Sequence, residues 1–383
     1  MIKFFCYILA CAFISLSCNV QKAGQQQQTV GSIASLKLLG EYDLPHNQSF
    51  KTTTIGGLSG IDYDAANDLY YIISDDRSAM NPARFYTAKI FANSRGIDSV
   101  VFADVKYLRQ KDSSVYPNKN QNPQATPDPE AIRYNSKTHE LVWSSEGERI
   151  VNNKTTVLEN PAITNMTAGG KYIDTFPLPP QLLMSAKEEG PRQNGVLEGL
   201  SFADNYQTLF ASVEEPLYQD GPRAMLQDTT AWIRILKYNV AAKKPLAQYA
   251  YRLEPVAYAA TPSDGFKING VPDILWMGGD QLLVIERSYS TGRLSCTIRI
   301  FEADLHGATD IAGYASLKEN KSFAPATKKL LLNMDSMGIY IDNVEGMTFG
   351  PTLPNGHKTL VLVSDNNFDM LEKTQFFLFE IME

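Results

Sequence analysis

Five polar residues recur at an even interval: Ser59, Glu130, Glu198, Asp273 and Glu345 lie 71, 68, 75 and 72 residues apart, each opening a strand-like run. A second acidic series closes the run that follows: Asp75 and Asp76, Glu146 and Glu148, Glu214 and Glu215, Glu286, and Asp365. If four anchor carboxylates converge on one axis, they cannot all stay ionised without compensation, because like charges in a small site raise one another's pKa or recruit a cation. Oxygen donors without a histidine or thiol cluster suit Ca²⁺, with Mg²⁺ as the alternative, better than zinc. Glu130, Glu198, Asp273 and Glu345 are therefore the candidate metal ligands. The competing role is structural, since a carboxylate at a strand start can also accept backbone N–H bonds from a neighbouring unit.

Arginines accompany the acids on the same stretches: Arg77, Arg84, Arg149, Arg192, Arg223, Arg287 and Arg293. The guanidinium fork matches carboxylate or phosphate oxygens. A mouth holding both acids and arginines suits a small anionic substrate such as a phosphomonoester, with Arg77 and Arg287 as the candidate substrate-binding residues. Alternatively, these two simply pair with Asp75 and Glu286. His46, His139, His306 and His357 are scattered, and no G-x-S-x-G elbow occurs. Ser59, Ser201 and Ser288 lack a histidine at a predictable distance, which argues against a serine triad.

The elements that must position these groups follow from the same repeat. SGIDYDAANDLYYIISDD (Ser59–Asp76), EAIRYNSKTHELVWSSEGE (Glu130–Glu148), EGLSFADNYQTLFASVEE (Glu198–Glu215), DILWMGGDQLLVIERS (Asp273–Ser288) and EGMTFGPTLPNGHKTLVLVSDNN (Glu345–Asn367) each read as a hairpin around a turn. Two further strand-like runs follow most of them. The fifth unit has only Thr374–Ile381 left, and Ala34–Leu44 at the other end of the chain supplies its missing strand. The reading is all-β: a closed β-propeller of five blades with four antiparallel strands each, the N- and C-terminal strands sharing one blade. A sixth blade hidden in Asn152–Ser185 or Tyr258–Gly270 is the alternative.

The chain has 383 residues and a formal charge of −7, which disfavours sequence-independent nucleic-acid binding. Its 18 Phe, 19 Tyr and 3 Trp exclude a disordered chain. Residues 1–17 have the layout of a signal peptide, with Lys3 before a short apolar run, and Leu16-Ser17-Cys18 resembles a lipoprotein cleavage site at which Cys18 is acylated. Residues 18–34 read as a flexible tether and 35–383 as a single folded body. The expectation is an exported protein, a membrane-anchored lipoprotein or periplasmic. It would be a monomer and touch the membrane only through its lipid. Cys296, the one cysteine of the body, sits in an alternating run as a buried thiol.

The segments GLSGIDYD…YYIISDDR (Gly57–Arg77), DPEAIRY (Asp128–Tyr134), LEGLSF (Leu197–Phe202) and NVEGMTFGP (Asn343–Pro351) resemble the bacterial phytase-like family, "esterase-like activity of phytase", from about Leu36 to Glu383. The resemblance implies an exported or lipid-anchored propeller. By analogy of architecture with alkaline phytases, it implies a Ca²⁺-filled acidic mouth that hydrolyses phosphoesters or esters. Glu130, Glu198 and Glu345 would then be the catalytic groups, binding the ion or orienting water, while Arg77 and Arg287 hold the anion. A lactonase-like hydrolase with one divalent ion, bound by Glu345, Glu198 and Asn366, fits as an alternative. So does a non-catalytic envelope propeller that binds through loop aromatics Tyr116, Tyr218, Tyr258, Phe266 and Tyr289.

Overall fold

The computed structural model describes residues 27–227 and 230–383; the expected signal peptide, Cys18 and the first part of the expected tether lie outside them. Five antiparallel sheets form blades around one axis. Their innermost strands are Leu58–Asp64, Pro129–Asn135, Leu197–Ala203, Ile274–Gly278 and Asn343–Phe349. Each packs against the inner strand of the next blade, and the last against the first. Ser35–Leu44 closes the ring as the outer strand of blade five, antiparallel to Thr374–Met382. Closure removes the exposed edge and apolar face that an open array would leave.

Neither stretch considered for a sixth blade forms one. Ala162–Thr167 and Tyr172–Phe176 are the outer strands of blade two, and Thr156–Glu159 pairs with Glu148–Val151 in a separate hairpin. Lys267–Gly270 adds a fifth strand to blade four by pairing with Gln281–Ser290. Strands buried on both faces by neighbouring blades read as nearly continuous apolar runs; Thr374–Met382 is buried at every position but the last. Among the described residues no helix is long and apolar enough to cross a membrane.

The repeat seen in the sequence has a local structural cause. Four inner strands shift register at the same point: between Leu58 and Gly60, Pro129 and Ile132, Leu197 and Leu200, and Val344 and Gly346. Such a bulge frees one residue from the ladder and re-aims its side chain, and the freed positions include Ser59, Glu130, Glu198 and Glu345. The small residue that follows lets adjacent inner strands meet backbone to backbone. A Cβ on Gly60 would lie 2.5 Å from the Glu130 carbonyl, and one on Gly199 2.7 Å from the Ile274 nitrogen.

Residues 27–34 depart from the tether expectation. Val30 and Ile33 are buried between blades four and five, and the Val30 and Ala34 N–H groups donate to the Met277 and Met382 carbonyls, both at 2.8 Å. Two apolar side chains in an otherwise polar stretch suffice to seat it. Gln27 reaches the bottom of blade three, donating to the Phe202 carbonyl and accepting from the Asn205 N–H.

Candidate functional site

Inner strands begin and second strands end on the same face, and there the axis opens into a cavity of about 850 Å³. Glu130, Glu198, Glu345, Arg77 and Arg287 all line it, together with Asp75, Asp128, Glu146 and Glu214. Nine acidic and five basic side chains make up the wall. That excess of negative charge has to be met by protons or by a cation.

The acids fall into two groups that share a member. Carboxylate oxygens of Asp128, Glu130 and Glu146 lie within 4.8 Å of one another, and so do those of Glu146, Glu198 and Glu214. Glu146 is fixed by the Gly195 and Val196 N–H groups at 2.6 and 2.5 Å, which leaves its other oxygen for the cavity. The Glu130 carboxylate has neither a hydrogen bond nor an ion pair among the described residues, though its backbone carbonyl accepts from Ser59 Oγ at 2.8 Å. Burial first, then the carboxylates of Glu198, Asp128, Glu146 and Asp75, hold its proton affinity well above the usual carboxylate range. Glu198 is raised in the same way by burial, then Glu146, Glu214 and Glu345, with Arg287 opposing. Burial and Glu214 push Glu146 to about 7, against its backbone donors. Burial pushes Glu345 to about 8, although Arg287 pulls it down. The oxygen-only donor set and the uncompensated charge fit a hard divalent cation.

Asp365 extends this field. It is almost fully buried, and its Oδ2 has no hydrogen-bond partner. Burial, Asp75 and Glu345 raise its pKa well above the ordinary value.

Arg77 and Arg287 do pair with acids, though not with Asp75 and Glu286. Arg77 Nη1 lies 2.6 Å from Glu148 and 3.6 Å from Asp128, both on blade two. Arg287 bridges Glu214 of blade three and Glu345 of blade five, the latter at 3.8 Å. Each retains unmade donors: Nε and Nη2 of Arg77 and Nε of Arg287 are buried without a partner. Buried guanidinium N–H groups without acceptors are costly, and an anion's oxygens would satisfy them.

Asp273 is the exception among the expected site residues, because it lies away from the cavity wall. Both its oxygens sit 2.7 Å from Arg133 Nη2, and they also accept from the Met347 and Ile274 N–H groups. Blade four lacks the bulge seen at the other anchors, so Asp273 precedes its strand and is turned inward to a cation instead of outward to the mouth. Arg133 also donates to the carbonyls of Leu200 and Ile61, both at 2.6 Å. The pair thus joins all five blades below the cavity.

Other expected residues are committed elsewhere. The Asn366 amide oxygen accepts from Gly57 and Phe368 N–H groups, so the ligand set Glu345, Glu198 and Asn366 does not assemble. Glu286 is enclosed by Tyr251, Asn269 and Lys328. Asp76 holds Arg84 and the turn at Ala79–Asn81. Tyr218, Phe266 and Tyr289 line the cavity, whereas Tyr116 packs edge-on to Trp143 in blade two and Tyr258 lies under Arg293. Cys296 is a buried thiol, pushed up to about 12 chiefly by burial.

Two residues escaped the sequence reading. Asp128 was available as Asp-Pro-Glu, since alternate positions of an extended segment face the same side. Arg133 was available as the lone cation in the otherwise apolar run of an inner strand.

The phytase-like family, described as esterase-like activity of phytase, matches residues 53–368, and the chain belongs to that family. No curated protein matches it. Solved structures similar to it include a propeller, that of Dos1, at 6% identity over 84% of this chain and 68% of that one with a TM-score of 0.33. A β-1,3-galactosidase with galactodeoxynojirimycin is 9% identical, covering 89% of this chain and 94% of that one, with a TM-score of 0.46. The α-L-arabinanase of Cellvibrio cellulosa is 12% identical, covering 85% and 91%, with a TM-score of 0.40. The gluconolactonase of Xanthomonas campestris is 9% identical, covering 93% and 98%, with a TM-score of 0.36.

Proposed function

We propose that this phytase-like protein is a metal-dependent hydrolase of small anionic phosphoesters or esters, exported and held in the cell envelope through Cys18. The observation that carries the reading is a cavity whose acidic side chains outnumber its basic ones nine to five, with two arginines that keep unmade N–H groups. Asp128, Glu130, Glu146, Glu198 and Glu214 would hold Ca²⁺, or Mg²⁺. When bound, such an ion neutralises substrate charge and lowers the pKa of a coordinated water. Arg77 and Arg287 orient the anionic oxygens. Glu345 is held by the Asn343 side-chain amide at 2.8 Å and by Arg287; raised to about 8, it keeps its proton at neutral pH in metal-free protein, and a cation at the neighbouring carboxylates would favour its ionised form, which can act as the base. It takes the proton of the attacking water as the new O–P or O–C bond forms and the alkoxide leaves. Support for the envelope location rests on the sequence of residues 1–18 alone.

The test is metal analysis of the purified protein by plasma mass spectrometry, coupled to turnover of p-nitrophenyl phosphate and p-nitrophenyl acetate with and without chelator. Bound calcium or magnesium is expected, together with chelator-sensitive turnover that falls at least ~100-fold in Glu198→Gln while circular dichroism is unchanged. Metal-free protein with full turnover, or a Glu198→Gln enzyme as fast as the parent, refutes it.

A further inference from the structure

We propose that the natural substrate is an amphiphile whose anionic end enters the acidic well and whose apolar group lies along the wall built by blades four, five and one. The proposal rests on the hydrolytic reading for the role of the well, but not for the wall. The cavity is divided by blade. Phe266, Ile268 and Tyr289 from blade four, Phe368 from blade five and Met80 from blade one form an arc that holds five of the cavity's six large apolar side chains, beside the charged Arg287, Glu345 and Asp75 of the same blades. Phe266 and Tyr289 lie against each other, with ring centroids 6.4 Å apart. Phe368 lies close over the backbone of Gly56 and Gly57, where an added Cβ would come within 2.8 and 2.7 Å of its ring.

The facing arc on blades two and three is different in kind. Arg149, Gln193 and Arg223 line it, and its one aromatic, Tyr218, has the guanidiniums of Arg149 and Arg192 at 4.9 and 4.3 Å from its ring centroid. That tyrosine offers little bare apolar face. Outside the cavity, loops of both halves carry exposed apolar side chains, Met225 and Leu226 of blade three at 50% and 40% among them. Phe266 and Met80 are 54% and 50% exposed, and Leu294 of blade four and Met370 and Leu371 of blade five are 83–89% exposed. Single exposed apolar side chains are ordinary; what points to an apolar ligand group is that Phe266, Ile268, Tyr289, Phe368 and Met80 line the cavity itself. The arc opens into the cavity, so the occupant it fits is the hydrocarbon part of the molecule whose charged end sits in the well.

Titration calorimetry of the full chain in calcium buffer with methyl-, butyl- and octylphosphonate tests this. Affinity should rise roughly twofold per methylene, about half the free energy of complete burial. Met80→Ser and Phe266→Ser, both at half-exposed positions, should flatten that rise and leave methylphosphonate binding as it was. A wild-type affinity independent of chain length, a rise unchanged in both variants, or no binding of any of the three overturns the proposal. Phosphonates are not hydrolysed, so length-dependent binding by a protein without turnover would sink the hydrolase reading and leave the amphiphile standing.

Discussion

Buried acids lie on the same axis at the hub and at the mouth, and the protein treats them in opposite ways. At the hub, Asp273 is matched by Arg133, and every donor of that guanidinium meets a carboxylate or a backbone carbonyl. At the mouth, Glu130 lies near the start of the same inner strand as Arg133, and its carboxylate has no partner among the described residues. A paired charge inside a fold locks geometry, while an unpaired one destabilises it until a ligand arrives. The contrast separates what holds the blades together from what the blades present.

Removing one half of the hub pair gives the largest expected effect. Arg133→Met leaves the Asp273 carboxylate buried and uncompensated and strips hydrogen bonds from three neighbouring blades, so the loss should be about 3–5 kcal/mol in urea unfolding. Arg133→Met combined with Asp273→Leu should recover a large part of it, because the stranded charge is gone. Glu130→Gln in metal-free protein should do the reverse and raise the melting temperature at alkaline pH, where a neutral amide removes the cost of a buried carboxylate repelled by its neighbours. If Arg133→Met is tolerated and Glu130→Gln unfolds the protein, the distinction between the two regions collapses.

The mouth should also reveal itself through pH. Asp75, Glu146 and Glu345 are pushed up to about 6, 7 and 8, each chiefly by burial. In the unfolded chain these groups release their protons near pH 4, whereas the folded protein retains them. The folded state therefore binds more protons between about pH 4 and 8, and stability falls as pH rises through that window. Metal-free protein should melt at a lower temperature at pH 8 than at pH 5. Calcium should raise the melting temperature at pH 8 and have little effect at pH 5, where protons already occupy the carboxylates. A flat profile of metal-free melting temperature against pH would mean that the acids are compensated in some other way.

Much of this was legible in the chain because the repeat carries its own geometry. An acid or serine followed by Gly or Ala marks the bulge that exposes one side chain and the contact that excludes the next. Ser35–Leu44 was assignable to blade five because Thr374–Met382 otherwise lacked a partner. Asp273 has the spacing of the repeat but lies away from the mouth, because Ile274 stands where the repeat has a small residue and the bulge is lost with it. Arg133 could not be paired from sequence, since its partner lies 140 residues away and only ring closure brings them together. Val30 and Ile33 were overlooked because two apolar residues make no period, although two suffice when a preformed crevice receives them.

The smallest and sharpest test sets Arg77 against Arg84, two arginines of blade one separated by a single turn. Arg84 is fully buried and spends its donors on Tyr86, Asp76 and the Thr54 carbonyl. Arg77 lines the cavity and has its Nε and Nη2 buried without a partner. Lysine at either position preserves the charge and loses the fork. Arg84→Lys should lower the melting temperature and leave KM alone, because what it breaks lies wholly inside the fold. Arg77→Lys retains the ion pair to Glu148 and forfeits only hydrogen bonds waiting for an anion, so KM should rise about fivefold, roughly one hydrogen bond's worth, with the melting temperature unchanged. If Arg77→Lys instead lowers stability as much as Arg84→Lys and leaves KM untouched, Arg77 belongs with the hub, and the anion must be held by other residues of the mouth.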